Sequence, residues 1–487
     1  MSNDSDSQIN GSSLDNTRLS RHHLKIWFLS AMGVFMDGFD LFIIAVALPL
    51  IQHQWQIGAA EAGLIAAAAP LGAIFGAGIF GRFTDKMGRR TMLILSVMFF
   101  VVFTSLSAFA WSPLSLMAFR FLLGLGIGAD YPTGSTYVSE TMPSHMRGKM
   151  MVASFSFQAI GALIGAALGL IILKNDPSLD AWRWMLGAGV VPAILVLWLR
   201  MSLPESPRWL ISKGKLEKAK KVAAELTGNA NITIEAQEEE QKVSYRDLFK
   251  KDLLRKTTLA SVPWFLMDIS LYGVGLFTPV ILAQMITSDG HDFIARGIAA
   301  AEGSIYTYLF FVIGCVICFF LIERWGRIRL QKIGFIGMTI GLCILGASTY
   351  ISDSSMLVLT FSGHTVILGS LQIILLFSGF ILFYFTINMG PNPTTYLLAS
   401  EVFPTHVRAT GHGFSSCMGK VGAAVGIFFL PIMKDSLGLG YTMFIIAISA
   451  FLGFLITLWL GYDTRGSLDE KNKKVKDKKI IPFRSVA

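Results

Sequence analysis

Long apolar runs separated by short polar connections dominate the chain. A membrane-spanning helix needs about 20 mostly apolar residues, and the sequence contains twelve runs of that kind, six on either side of a polar stretch. We predict helices over residues 26–51, 61–82, 91–111, 114–138, 149–173, 182–203, 258–284, 303–322, 330–350, 368–398, 408–434 and 438–461. The pattern therefore predicts an all-α integral membrane protein with twelve transmembrane helices.

The composition agrees with this prediction and excludes a soluble multidomain protein. Apolar residues make up 53% of the 487 residues, and charged residues only 15%. Soluble domains carry about 25% charged residues. The mean hydropathy of +0.58 points the same way.

The net charge of +9 comes from basic clusters that indicate the orientation in the membrane. Lysine and arginine favour the cytoplasmic side of membrane proteins. One set of connections carries Arg82, Lys86, Arg89, Arg90, Arg147, Lys149, Arg324, Arg327, Arg329, Lys332 and Arg408. The opposite set carries only Lys174, Arg183, Arg296 and Lys434. We therefore predict cytoplasmic termini and a place in the plasma or inner membrane, rather than a nucleic-acid partner.

The runs and the charged stretches divide the chain into five parts. Residues 1–25 form a predicted cytoplasmic tail and 26–203 an amino-terminal half of six helices. Residues 204–256 are charged and helix-prone, which is typical of a cytoplasmic linker with one or two amphipathic helices. Residues 257–462 form the second six-helix half, and 463–487 a basic cytoplasmic tail.

Two loop motifs recur in the second half. Ser139-Glu140-Thr-Met-Pro143-Ser-His145-Met-Arg147 returns as Ser400-Glu401-Val-Phe-Pro404-Thr-His406-Val-Arg408, at an offset of 261 residues. Asp85-Lys-Met-Gly88-Arg89 is echoed by Glu323-Arg-Trp-Gly326-Arg327. Both copies fall on the same predicted side, so the halves are parallel repeats. Parallel repeats can rock around a central cleft, which indicates a transporter that opens to one side at a time.

Acidic and basic residues at the cytoplasmic helix ends are candidate gating pairs. They are Asp85 with Arg89, Glu140 with Arg147, and Glu401 with Arg408. Opposite charges there can lock one conformation and release in another, and each partly exposed pair contributes little. The alternative is that the basic members only fix the topology.

Ionisable residues inside predicted helices are costly and mark functional sites. Asp37 and Asp40 lie on the first helix, and Arg120 and Asp130 on the fourth. The i,i+3 spacing puts Asp37 and Asp40 on one face, where two close carboxylates would hold one proton between them. We expect proton handling by Asp37, Asp40 or Asp130. The alternative is that one carboxylate caps a helix or pairs permanently with Arg120.

Polar side chains on the seventh and eleventh helices predict a cavity between the halves. Trp264, Asp268 and Tyr272 follow one another in steps of four and share a face. An acid on a lipid-facing stripe would be costly, so this face should line the cavity. Lys420 lies in the middle of the eleventh helix and needs a counter-charge, either a bound anion or a nearby carboxylate.

Three motifs resemble those of the major facilitator superfamily. Gly81-Arg-Phe-Thr-Asp85-Lys-Met-Gly88-Arg89-Arg90 resembles the signature between its second and third helices. Pro204-Glu205-Ser206-Pro207-Arg208-Trp209-Leu210 resembles the motif after the sixth helix in its sugar-porter-like branch. Arg120-x3-Gly124-x-Gly126-x-Gly128 resembles its fourth-helix pattern. The resemblance implies the major facilitator fold, with two six-helix halves.

A narrower resemblance is to the proton-coupled phosphate symporters. It rests on Asp130-Tyr131-Pro132, Gln158, the three residues of the seventh helix, Gly390-Pro391-Asn392 and Gly419-Lys420. It implies that phosphate contacts Tyr131, Gln158, Trp264, Asp268, Tyr272, Asn392 and Lys420. It also implies that Asp130 relays protons together with Asp37 or Asp40. Hydroxyl, amide and indole donors with one cation suit an oxyanion.

Other cargoes and classes stay open at this point. Asp37-Gly-Phe-Asp40 also resembles aromatic- and organic-acid/proton symporters, so an organic acid or another metabolite is the alternative to phosphate, and a sugar a weaker one. A membrane sensor would carry longer cytoplasmic extensions. No Gly-x-Ser-x-Gly motif, P-loop or metal-spaced histidine cluster indicates an enzyme. We expect no cofactor, metal or nucleic acid, and a monomer whose partners are a small anion, protons and the lipid bilayer.

Overall fold

The computed structural model describes residues 19–228, 245–286, 293–351, 356–361, 364–404 and 407–462. Twelve spans within these residues are long and apolar enough to cross a membrane. The first half contains α1 (Arg21–Trp55), α2 (Ala59–Met87), α3 (Arg89–Ala108), α4 (Pro113–Thr141), α5 (Ser144–Asn175), α6 (Ala181–Ala188) and α7 (Val190–Arg200). The second contains α10 (Lys251–Ile286), α11 (Phe293–Trp325), α12 (Arg327–Ser348), α13 (Leu371–Met389), α14 (Pro391–Glu401), α15 (Arg408–Leu437) and α16 (Leu439–Leu460). The prediction of a twelve-span helical membrane protein is confirmed.

Glycines with positive φ make the tight turns in the two copies of one repeated motif. Gly88, at φ +98°, separates α2 from α3, and Gly326, at φ +83°, separates α11 from α12. Only glycine adopts this backbone region without strain, so each turn reverses the chain within one residue. We call the side on which these two turns lie the motif side, and the other membrane face the opposite side.

The two halves meet along two equivalent seams. α2 packs against α15, and α11 packs against α5. Within the first half, α1 packs closely against α5 because Gly38 has no side chain. A Cβ there would lie 2.9 Å from the Cα of Gln158. This close approach places Gln158 near the middle of the molecule, between the halves.

Two of the predicted transmembrane helices are interrupted. The sixth is divided at Gly189 into α6 and α7, and the tenth is divided at Gly390 into α13 and α14. Pro391 occupies the first turn of α14 and cannot donate a backbone hydrogen bond to α13. The break lets Asn392, at the start of α14, face the centre of the molecule.

The connection after α12 contains a hairpin that we did not predict. β1 (Met356–Phe361) pairs antiparallel with β2 (His364–Ser370). Both strands are rich in β-branched residues, which favour extended backbone. Because residues 356–370 are uncharged, the sequence did not show where the strand ends and the helix begins. In addition, α11 begins at Phe293, ten residues before the predicted start at 303.

The charged segment between the halves contains two short helices. They are α8 (Pro207–Ser212) and α9 (Leu216–Thr227), and a single 3-10 turn spans Tyr245–Phe249. The apolar side chains of Trp209, Leu210 and Ala219 pack together there. Most of the predicted amino-terminal tail and the whole of the predicted tail at 463–487 lie outside the described residues.

Candidate functional site

An ion pair joins the two halves at the centre of the membrane region. Lys420 on α15 donates from Nζ to Oδ2 of Asp37 on α1, at 3.1 Å. The hydroxyl of Tyr131 on α4 donates to the same oxygen at 2.5 Å. Asp37 is 1% exposed and Lys420 5% exposed. Of the two counter-charges expected for Lys420, the structure contains the carboxylate.

The Gln158 side chain connects this pair to the second half. Its Nε2 donates to the hydroxyl of Tyr272 at 2.6 Å and lies 3.4 Å from the hydroxyl of Tyr131. Its Oε1 accepts from Nδ2 of Asn392 at 3.3 Å. Gln158 is fully buried, as its α5 position against Gly38 requires. One amide therefore contacts side chains from both halves.

Aromatic rings and a second acid complete the cluster. The Lys420 ammonium lies 4.4 Å from the ring centroid of Tyr131 and 5.2 Å from that of Tyr272, which suits cation–π attraction. Gly419 lets α15 approach α10. A Cβ at Gly419 would lie 2.6 Å from Nε1 of Trp264 and 2.9 Å from Oδ2 of Asp268. The seven residues expected to contact an anion thus converge on one site.

The two acids of α1 have different partners. Oδ2 of Asp40 accepts from Nη2 of Arg120 at 3.0 Å, and Nη1 of Arg120 lies 3.4 Å from Oδ1. Arg120 is fully buried and Asp40 is 3% exposed. Asp40 thus has the arginine partner that we gave as the alternative to proton handling. Asp37, three residues earlier, faces Lys420 instead.

Asp130 is held by an arginine that sequence reasoning missed. Nη1 of Arg200 contacts Oδ1 of Asp130, and Nη2 donates to Oδ2 at 3.1 Å. Ser96 adds a hydroxyl donor at 2.7 Å, and Arg200 also donates to the carbonyls of Leu29 and Leu93. Arg200 lies three residues before the end of the predicted sixth helix at 203, and we assigned it no role. The only available signal was that a buried Asp130 needs a cation.

In each half, the glutamate of one repeated loop motif pairs with the arginine that ends the other motif. Glu140 accepts from Nη2 of Arg89 at 2.9 Å. In the second half, Glu401 accepts from Nη2 of Arg327, also at 2.9 Å. Arg327 additionally binds Glu323 one turn away.

Each gating pair that we predicted, Asp85 with Arg89, Glu140 with Arg147 and Glu401 with Arg408, includes one side chain that the structure does not describe, and these pairs stay predictions. The side chains of Asp85, Arg147 and Arg408 lie outside the described part of the chain. The contact of Glu140 with Arg89 follows from the packing of α3, which begins at Arg89, against α4.

A further acid, Glu205, caps α3 on the motif side. Its Oε1 accepts from the backbone N–H groups of Arg89 and Arg90, at 2.8 and 3.2 Å. A carboxylate at a helix amino terminus is favoured by the helix dipole. Burial nevertheless raises the pKa of Glu205, against these backbone hydrogen bonds, which lower it. We did not predict a role for Glu205.

The central site is closed toward both membrane faces. On the motif side, a Cβ at Gly148 of the first half would lie 3.0 Å from Oε1 of Glu323. On the opposite side, Lys174 and Glu302 form an ion pair between the halves, and the rings of His53 and Phe293 lie 4.5 Å apart. A substrate can therefore reach the site only after the halves move.

Two six-span halves closed around a buried, charged site define a multi-pass transporter of the major facilitator superfamily. Residues 26–473 match the family model described as "Sugar (and other) transporter", and the chain belongs to that family. The putative metabolite transport protein YaaU of Escherichia coli (strain K12) is 28% identical over 452 residues, which cover 93% of this chain and 95% of YaaU.

A phosphate transporter and a sugar transporter are also similar. The putative inorganic phosphate transporter 1-13 of Oryza sativa subsp. japonica is 30% identical over 495 residues, covering 95% of this chain and 94% of that protein. Among solved structures, the xylose transporter XylE from E. coli in a partially occluded inward-open conformation has a TM-score of 0.73. That likeness, at 20% identity over 92% of this chain and 99% of XylE, shows the fold.

Proposed function

We propose that this protein is a secondary active transporter that carries inorganic phosphate together with protons by alternating access. The observation that carries the proposal is Lys420, a buried cation surrounded by hydroxyl, amide and indole donors. The rice relative described as a phosphate transporter supports the same cargo.

The donors around Lys420 suit the oxygens of a tetrahedral oxyanion. Tyr131, Tyr272, Gln158 and Asn392 supply neutral donors, and charge-assisted bonds from Lys420 supply the largest attraction. Asp268 accepts a hydrogen bond from a phosphate hydroxyl. Because a fully deprotonated anion such as sulfate has no such hydroxyl, a carboxylate at this point discriminates against it.

The Asp37–Lys420 ion pair offers a mechanism of coupling. While Asp37 is ionised, its carboxylate occupies Lys420 and competes with an anion. A proton on Asp37 removes that competition and releases Lys420 to bind phosphate. Proton and anion then bind together, and each proton that moves inward across 100 mV releases about 2.3 kcal/mol.

Asp40 and Asp130 act differently from Asp37 in the proposed mechanism. Asp40 and Asp130 each face an arginine of their own half, and we propose that they pass protons only when Arg120 or Arg200 moves. The proposal keeps the predicted orientation, with cytoplasmic termini and a cytoplasmic motif side, in the cell membrane, and it keeps a monomer as the working unit.

A proton symporter for an organic acid is the second candidate. The rings of Tyr131 and Tyr272 lie against Lys420, so they can contact the apolar part of a carboxylate substrate while the ammonium binds its charge. The resemblance to YaaU, described as a metabolite transport protein, is compatible with this cargo. A sugar, the cargo in the XylE description, would leave Lys420 without an anion to bind.

Uptake into proteoliposomes tests the proposal. Radiolabelled phosphate would be offered to wild type, Lys420→Ala and the control Lys434→Ala, with an imposed pH gradient, acidic outside. We expect gradient-dependent uptake in wild type and in Lys434→Ala, whose lysine lies on the same helix but pairs with Asp435. Lys420→Ala should lose uptake. Wild type that takes up a carboxylate but ignores phosphate would refute the phosphate assignment.

A further inference from the structure

A buried histidine lies between the central site and the motif side. α15 begins on the motif side, and His412 stands eight residues before Lys420. Eight residues correspond to about 12 Å along a helix axis. His412 is 5% exposed, so it belongs to the layer that closes the site toward the motif side.

Aromatic rings enclose the imidazole. Its centroid lies 6.0 Å from the ring of Trp264 and 5.2 Å from the ring of Tyr396, both in edge-to-face arrangements. Tyr396 in turn contacts Phe155 of the other half, at 4.8 Å. These four rings form an aromatic layer that includes Trp264 of the central site. Separation of the halves on the motif side would pull Phe155 away from Tyr396 and open this layer.

The ring nitrogens of His412 lack a well-formed hydrogen bond. Among the described residues, neither Nδ1 nor Nε2 has a partner with hydrogen-bond distance and angle, although the backbone of Tyr396 lies near the imidazole. Buried polar groups are nearly always paired. By contrast, His23, the buried histidine of α1, has one paired nitrogen: its Nδ1 lies 2.7 Å from the hydroxyl of Ser20, and only its Nε2 has no partner among the described residues. A phenyl ring would fill the place of His412 without unpaired nitrogens, so packing alone does not account for a histidine there.

We propose that His412 is a second anion-binding position, which receives the oxyanion from the Lys420 site when the motif side opens. The proposal rests on the proposed function. An imidazole keeps at least one N–H in either protonation state, so it can donate to a phosphate oxygen. Trp264 borders both positions, and the anion would pass along its indole edge from one to the other.

Two substitutions separate hydrogen bonding from packing at this position. His412→Phe keeps a ring and removes the donor, whereas His412→Gln keeps an N–H donor. We expect His412→Phe to lower the maximal rate of gradient-driven phosphate uptake about tenfold, the effect of one lost bond to a charged ligand. The KM for external phosphate should change little because the central site is intact. His412→Gln should stay within about twofold of wild type.

Thermal unfolding checks that the variants fold. His412→Phe removes two unpaired buried atoms, so its unfolding temperature should equal or exceed that of wild type, and His412→Leu serves as a second donor-free variant. A donor-free variant that transports like wild type, or a Gln variant as slow as Phe, would overturn the second position alone. Wild type without phosphate uptake would instead remove the proposed function and this inference with it.

Discussion

The motif-side charges and the central site come from the same duplicated chain, but only the former keep the symmetry of the repeat. Arg89 binds Glu140 in the first half, and Arg327 binds Glu401 in the second, at equal distances of 2.9 Å. Each pair joins the two repeated motifs of its own half. The two halves therefore contain equivalent ion pairs at the same membrane face.

The central site has lost that symmetry. Aligning Trp27 with Trp264 pairs Asp37 with the apolar Val274, and the repeat pairs Gln158 with Gly419 beside Lys420. The acid of the central ion pair belongs to one half and the cation to the other. Ion pairs that serve the same purpose in both halves can keep the same residues. Binding a proton and an anion together needs opposite charges that face each other across the cleft.

The largest effect is expected at the asymmetric site. Asp37→Asn removes the proton-binding group, so gradient-driven phosphate uptake should fall by at least about a hundredfold. Exchange of internal for external phosphate without a gradient should persist, because Lys420 is then free for the anion. Equal loss of uptake and exchange in this variant would contradict a coupling role for Asp37.

The paired acids of the first half should affect stability more than coupling. Arg200→Ala leaves Asp130 as a buried charge without its arginine, which should lower the free energy of unfolding by about 3–5 kcal/mol. Denaturant unfolding in detergent measures this. The matched double variant Arg200→Leu/Asp130→Leu removes both charges and should recover most of the loss. A double variant as unstable as Arg200→Ala would show that the charge pair is not the cause.

The symmetric pairs should give small and similar effects. Glu140→Gln and Glu401→Gln each weaken one motif-side contact, worth about 1 kcal/mol for partly exposed pairs. Under the gating hypothesis, each pair forms only while the motif side is closed, so its loss gives an approximately fivefold shift toward the motif-side-open state. Spin-label distances between positions 86 and 329 report this equilibrium. A large shift of the conformational equilibrium in one variant and none in the other would contradict the equivalence of the two ion pairs.

The smallest effect concerns pH and Glu205. Because burial raises the pKa of this carboxyl in the folded state, the proton binds the folded protein more tightly than the unfolded chain. The contribution to stability is complete below the ordinary value of 4.5 and is lost as pH rises through the raised pKa. The unfolding temperature of wild type minus that of Glu205→Gln should therefore fall across this range. A difference independent of pH would contradict it.

The spans and the charged residues of the central site could be read from the sequence, because apolar runs and intramembrane charges are local signals. Tyr131 and Asn392 came only from the resemblance to phosphate symporters. Apart from Arg120 as the partner of Asp40, the partners of the charged residues could not be read from the sequence. Asp130 and Arg200 are 70 residues apart, and only the packing of α7 beside α3 and α1 brings them together. Likewise, Glu140 contacts Arg89, 51 residues earlier in the chain, because α3 packs against α4. The uncharged residues 356–370 gave no warning of a hairpin.

The central claim is that a proton on Asp37 frees Lys420 for the anion. Calorimetric titration of the protein with phosphate, repeated in buffers of different ionisation enthalpy, counts the protons taken up on binding. Comparing wild type with Asp37→Asn cancels the contribution of phosphate itself. The account predicts proton uptake on binding in wild type and markedly less in Asp37→Asn. Equal proton uptake in the two proteins would contradict it.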